Sequence, residues 1–306
     1  MPEPEIRPFR PADAERTLPL FRRLIPGKIH TEAAILHFVE AQPARAELRA
    51  WTALVDNEVV GWANVRLRWF TAAEDVGGWI GVLPGHRGLG IGSALLQLIE
   101  EHGRSLGARH IASFAFEDDA DGRRFASKRG YREGRREQYW ALDVATAAVR
   151  NDPTPVGAEV VALASVRERE HELFDLFASA HSDMPGDETW TIEFDEWLLE
   201  AWGAPTLDHD ASAVVLVDGR PASFAWINTD RDGGLGENEM TGTHRDFRRR
   251  GLARLAKEAS IRWAADLGIH TLYTSNETTN ADMLALNEHL GYRPTHVLIE
   301  LRKDLD

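Results

Sequence analysis

Arg87-Gly88-Leu89-Gly90-Ile91-Gly92 and, at an offset of 161, Arg248-Arg249-Arg250-Gly251-Leu252-Ala253 are the stretches on which the fold of this 306-residue chain turns. Each follows a segment of strand character, Trp79 to Leu83 or Glu237 to Thr243, and each opens an amphipathic helix that stops near Gly107 or Gly268. A small-residue turn at a helix start has the physics of an anion site, or else is an ordinary helix N-terminus. Backbone approaches the ligand closely, unpaired N–H groups point outward, and the helix dipole favours negative charge. A pyrophosphate is the natural occupant. Two competing phosphate motifs fail: Ile91-Gly92 stands where a P-loop needs Lys and Ser or Thr, and Ser93 stands where a dinucleotide fingerprint needs its third glycine.

Working outward, the same offset carries Gly81 onto Gly242, Leu106-Gly107 onto Leu267-Gly268 and Gly130-Tyr131 onto Gly291-Tyr292 without a gap. The chain is an internal duplication. Each copy has a short first strand (Ile6 to Phe9; Glu159 to Leu163), then a helical region, which in the second copy is Val166 to Ala178 and Trp190 to Trp202. A hairpin follows, turning at Asp56-Asn57 or Asp218-Gly219. After the glycine turn and its helix come another strand, a helix and a final strand pair beginning at Tyr131 or Tyr292. The linker is Asn151-Asp152-Pro153-Thr154-Pro155-Val156-Gly157, which places one domain at 1–150 and the other at 158–306. The expected class is α/β (α+β), two tandem domains each with a mixed, mostly antiparallel central sheet flanked by helices.

Composition agrees with a folded protein: 43% hydrophobic and 27% charged residues exclude a disordered chain. The net charge of −14 argues against nucleic-acid or anionic-membrane partners, and counting by halves shows that it all arises after Arg150. Residues 1–150 hold 21 basic and 20 acidic side chains, whereas 151–306 hold 14 and 29. Cysteine is absent, which removes disulfides and thiolate chemistry, and the 12 histidines show no metal-binding spacing. The N-terminus lacks the basic start and apolar stretch of a signal peptide, and a cytoplasmic monomer or homodimer is expected.

The Arg-x-x-Gly-x-Gly/Ala turn after a strand, Leu-Gly at the helix end and a later helix closing on Gly-Tyr resemble motifs A and B of the GNAT N-acetyltransferase superfamily. The tandem arrangement resembles that of mycothiol synthase and its actinobacterial relatives. The resemblance implies that the turn holds the pyrophosphate of acetyl-CoA and that the preceding strand pairs with the pantetheine arm. By position this assigns Leu83, Arg87, Gly88, Leu89, Gly90, Ile91 and Gly92 in the first copy. In the second it assigns Thr241, Gly242, Thr243, Arg248, Arg249, Arg250, Gly251, Leu252 and Ala253. It further implies direct attack of a small-molecule primary amine on the thioester, with no metal. A non-catalytic acyl-CoA sensor or scaffold and a protein or peptide N-acetyltransferase are the alternatives.

The copies differ. Thr274-Ser275-Asn276-Glu277-Thr278-Thr279-Asn280 resembles the family's Thr-x-Asn…Asn segment at the acyl site, whereas the first copy has Ala115 and Asp119 at the positions of Asn276 and Asn280. Asn280 is equally read as a helix cap. For the base, Glu239 and Glu237 are expected on one face of the strand beside the thioester, or else as a surface pair. The family's usual acid, a tyrosine four residues before the Gly-Tyr glycine, is replaced by Ala126 and Asn287, leaving Asn287, Ser275 or water. These differences point to catalysis in the second copy. Between Asp183 and Glu239 there are 14 acidic groups and two bases, so Asp183, Asp187 and Trp190, with Trp197 nearby, are expected to receive a cationic acceptor or else to form a solvated acidic surface.

Overall fold

A computed structural model describes residues 3–68, 70, 75–150, 154–182 and 192–305. In chain order the elements are β1 Glu5–Pro8, α1 Ala14–Leu24, α2 Glu32–Glu40, β2 Arg49–Val55, β3 Glu58–Leu67, β4 Asp75–Val82, α3 Ile91–Ser105, β5 His110–Phe116, α4 Ala120–Ser127 and β6 Arg132–Asp143. The second series is β7 Ala158–Ala162, α5 Glu170–His181, α6 Phe194–Trp197, β8 Ala213–Val217, β9 Arg220–Asp230, β10 Leu235–Thr243, α7 Leu252–Asp266, β11 Thr271–Glu277, α8 Ala281–Leu290 and β12 Arg293–Asp304. The two hairpin turns take the left-handed backbone that their residues favour, with φ of 49° and 65° at Asp56 and Asn57 and of 50° and 79° at Asp218 and Gly219.

Two compact units result, and they do not follow a cut at the linker: one is Met1–Arg136 with Val297–Asp306, the other Glu137–His296. Each sequence copy was expected to end in a strand pair of its own. Instead β6 and β12 are single long strands whose second halves serve the other copy's sheet. In unit 1 the order is β1-β2-β3-β4-β5-β12, with Leu298 to Asp304 antiparallel to β5. In unit 2 it is β7-β8-β9-β10-β11-β6, with Glu137 to Asp143 antiparallel to β11. Both copies present the same open edge beyond their fifth strand, so backbone hydrogen bonding is met equally well by either partner strand.

In unit 1 the sheet is covered on both faces. Phe21 of α1 packs edge-on to Trp62 on one face, while a Cβ added at the adjacent Gly61 would lie 3.1 Å from Ile91 of α3 on the other. The core under α3 gathers Val65, Val76, Leu95, Ile99 and Ile111, and it includes Leu301 and Leu305 from the C-terminal segment. In unit 2, α5 buries Phe177 against Trp226, and α7 packs Ala256 and Ala259 on Val215 and Ala225. Trp197 is fully buried in the α5 core, stacked on Trp202 at 5.1 Å.

Candidate active site

In unit 1 the parallel pairing of β4 with β5 runs only from Asp75 to Gly77 against His110 to Ala112. Beyond that point the strands diverge. A cavity of about 700 Å³ opens there, on the face covered by α3 and α4, and reaches from the Arg87–Gly92 turn to Leu96, Ala115, Ala126 and Leu301. The turn has the geometry that its glycines predict: φ is 81° at Gly88 and 85° at Gly90, and Gly90 is the N-cap of α3. The first amides of a 15-residue helix and its dipole thus face the cavity mouth. Arg87 is fixed above them, its Nε donating to the Val82 carbonyl at 3.2 Å and its Nη atoms to both Asp119 oxygens at 2.8 and 3.1 Å. Leu83 donates its N–H to Val60 and so ends the strand beside the turn.

On the opposite face lies a second, shallower cleft of about 380 Å³, between α1, α2 and the sheet. Asn64, Arg66 and Arg68 enter it from alternate positions of β3 and its continuation, with Trp79 from β4, Phe114 from β5 and Glu300 from β12. Trp79, Ser113 and Phe114 line both spaces. The two hollows therefore meet where the strands part. Trp79 stacks on Phe114 at 5.6 Å and leans over Gly81, where an added Cβ would come within 2.4 Å of its Cη2. Gly81 is thus needed for close approach.

Unit 2 repeats the frame and places polar side chains in its interior. Its parallel pairing likewise stops at Leu235 to Glu237 against Thr271 to Tyr273. Arg248 Nε donates to the Thr243 carbonyl at 3.2 Å, as in the other copy, and Gly251 caps α7 with φ 74°. Arg249 is held at φ 59°, the place of Gly88, and Arg250 donates to the Asp246 carbonyl. Leu252 is buried beneath the turn and Ala253 is half-buried. Behind them stands Lys257, 1% exposed, whose Nζ donates to Asn287 Oδ1 at 2.8 Å. Asn287 Nδ2 in turn donates to Asn276 Oδ1 at 2.7 Å. Burial pulls the Lys257 ammonium down to about 7. A further bond, from Thr274 Oγ1 to the Asn238 carbonyl at 3.1 Å, ties β11 to β10 beyond their last pair. By the repeat offset, the positions of Lys257, Asn276 and Asn287 are Leu96, Ala115 and Ala126 in unit 1, all of which line its cavity.

The other expected residues of unit 2 serve internal contacts. Thr241 donates to Asn238, Thr243 bonds with Ser223, and Ser275 donates to Glu137 at 2.6 Å. Gly242 gives Ala180 and Phe224 room, as Gly81 does for Trp79. Asn280 caps α8 by accepting the Met283 N–H, which is the capping reading of that residue. Glu237 and Glu239 do not share a face: a bulge between Asn238 and Met240 takes Glu239 out of the alternation, leaving it exposed and Glu237 3% exposed. Asp183, Asp187 and Trp190 lie outside the described residues. Among the described residues no group of three or more His, Asp or Glu is placed to hold a metal, and no helix is long and apolar enough to cross a membrane.

In both units, then, parallel strands part beside a glycine turn that opens a 15-residue helix. The profile of the acetyltransferase (GNAT) family matches residues 19–131 and 169–292, and the chain belongs to that family, an acyl-CoA-dependent N-acetyltransferase with tandem domains. Among solved structures it is similar to the tandem GNAT protein from the clavulanic acid biosynthesis pathway, at 18% identity with 99% of each chain covered and a TM-score of 0.77. It is similar also to a GCN5-related N-acetyltransferase from Sphaerobacter thermophilus, at 18% identity, 99% and 96% coverage and a TM-score of 0.72. These likenesses concern the fold. No curated protein matches the sequence significantly.

Proposed function

We propose that acyl transfer takes place in unit 1, with acetyl-CoA in the cavity behind the Arg87–Gly92 turn and a small-molecule primary amine in the cleft on the opposite face. The observation that carries this reading is the contrast between the two copies: Leu96, Ala115 and Ala126 line a cavity, where unit 2 has the buried chain Lys257, Asn287 and Asn276. The differences between the copies in sequence suggested the reverse assignment; the polar residues behind that expectation are engaged with one another. Unit 2 then serves as the structural partner that delivers β12.

The acceptor loses a proton from its ammonium, its nitrogen attacks the thioester carbonyl, the new C–N bond forms as C–S breaks, and the CoA thiolate leaves and takes up a proton. Trp79, Ser113 and Phe114, common to both hollows, frame the point of attack. The family's usual tyrosine acid is replaced by Ala126, and Tyr131, which also lines the cavity, donates its hydroxyl to Glu100 at 3.3 Å, so water is the proton donor to the thiolate in this reading. Release of CoA thiol against a panel of amines tests the activity, and aminosugar thiols, suggested by the likeness to mycothiol synthase, and polyamines, suggested by the acidic segment 183–239, belong in that panel. Thiol release that survives Gly90→Asp but not Gly251→Asp would return catalysis to unit 2.

A further inference from the structure

The donor cavity of unit 1 does not stop at its junction with the acceptor cleft. From Ser113 at that junction it runs sideways across β5 to Leu301 of β12, which pairs with Ser113 in register. The residues along this side arm are small: Ser113 and Ala115 at alternate positions of β5, and Ala126 on α4. Its walls are Leu96, Leu301 and Tyr131, whose hydroxyl is engaged by Glu100. Beyond the Ser113 hydroxyl at the entrance, Leu96, Ala115, Ala126 and Leu301 offer an occupant nothing but carbon. The other copy gives the scale. At the same positions unit 2 carries Lys257, Thr274, Asn276, Asn287 and, in register with Thr274, Trp140. None is smaller than its counterpart, and the two alanines alone stand in place of two carboxamides, about six non-hydrogen atoms.

We propose that the donor site prefers an acyl-CoA with a linear chain longer than acetyl, about four to six carbons, its thioester at the junction and its tail lying over Ala115 and Ala126 toward Leu301. The proposal rests on the reading that unit 1 is the catalytic unit. The bond changes are those of acetyl transfer: the amine nitrogen bonds the carbonyl carbon, C–S breaks, and the thiolate takes up a proton. Acetyl-CoA enters the same site but leaves the side arm without contacts, and an apolar slot with no occupant forfeits the dispersion energy of its walls. Each methylene of a longer chain that moves from water into the arm adds to affinity. Leu301 lies on β12, so chain-length preference in the N-terminal unit is set in part by the C-terminal strand.

The test is isothermal titration of the full chain with acetyl-, butyryl- and hexanoyl-CoA, which needs no acceptor. The expected result is an affinity that rises along the series, with hexanoyl-CoA bound about tenfold or more tightly than acetyl-CoA, and a fall of this ratio toward one in Ala126→Leu and in Ala115→Val, which narrow the arm from α4 and from β5. Equal affinity for the three donors, affinity that falls with chain length, or a ratio unmoved in both variants would overturn it. The underlying reading is scored separately by titrating Gly90→Asp and Gly251→Asp with the same donors: loss of binding in the first with no chain-length preference in the parent chain removes only the side-arm proposal, whereas unchanged binding in the first removes the unit 1 reading.

Discussion

Lys257 Nζ lies 2.8 Å from Asn287 Oδ1 inside unit 2, at the two positions where unit 1 has Leu96 and Ala126. One copy has thereby exchanged an empty slot for a hydrogen-bonded one. The first prediction concerns the turns above these interiors. Gly90 has φ 85° and no atom within 4 Å of an added Cβ, so Gly90→Asp acts through backbone conformation and through charge at the mouth of the anion site. Isothermal titration with acetyl-CoA should lose at least about tenfold in affinity. Gly251→Asp, with φ 74° and equally open surroundings, should leave turnover unchanged within twofold or so.

The second prediction concerns pH. Lys257 is fully buried and its folded pKa, about 7, lies below the roughly 10.4 of an unfolded chain. Between these values the unfolded state binds the extra proton, so this group makes stability rise with pH from about 7 to 10 and imposes its full cost below 7. Denaturant unfolding of Lys257→Met against the parent chain should show a stability difference that favours the variant at pH 6 and shrinks or reverses by pH 10. A pH-independent difference would refute the assignment.

A third expectation concerns the C-terminal strand. Removing residues 297–306 takes Leu301 and Leu305 from the unit 1 core, the Lys303 bond to Glu100 at 2.7 Å and the Arg302 bond to Asp75 at 3.0 Å. It also bares the edge of β5. Hydrogen exchange should show residues 49–116 losing protection while 213–277 keep theirs, and acetyl-CoA binding should disappear. The milder Leu301→Ala should cost about 2–4 kcal/mol in denaturant unfolding. A fragment ending at residue 150 should bind no acetyl-CoA.

Gly81→Ala gives a fourth. The added methyl would fall 2.4 Å from Trp79 Cη2 and 2.8 Å from Leu24 Cδ1, forcing the indole off Phe114 and into the junction of the two hollows. Overpacking of this kind costs about 1–3 kcal/mol. Steady-state kinetics should show a raised KM for the acceptor together with a lower kcat. Unchanged kinetics would separate Trp79 from the reaction centre.

Much of this was legible in the sequence because it depends on local geometry. Gly88, Gly90 and Gly251 take the positive φ that a tight helix-opening turn demands, and Asp56-Asn57 and Asp218-Gly219 take the backbone that a two-residue hairpin demands. Hydrogen bonds from Arg87 to Val82 and from Arg248 to Thr243 show the same turn built twice. What escaped depends on long-range choices. The edge left by β5 accepts either copy's final strand, and nothing in Tyr131 to Asp143 or Tyr292 to Asp304 says which. The bulge at Glu239 shifts one residue against β9, a detail that strand alternation cannot foresee. Arg66 and Glu300 lie far apart along the chain and form no motif. One missed signal was present: aligned by the repeat, Lys257 falls on Leu96 of an amphipathic helix, and a lysine on a core face marks a filled interior.

The exchange of strands has a consequence for synthesis. Domains usually fold in the order in which they leave the ribosome, at roughly 5–20 residues per second. Here the sheet of unit 1 lacks its last strand until residues 297–304 exist, whereas everything unit 2 needs ends at His296. The N-terminal unit therefore waits, with its β5 edge exposed, for a delay on the order of 10–30 s while the intervening 160 residues are made. A chain released before residue 297 carries an N-terminal sheet that lacks its closing strand, so the order of synthesis runs against the order in which the two units can be completed.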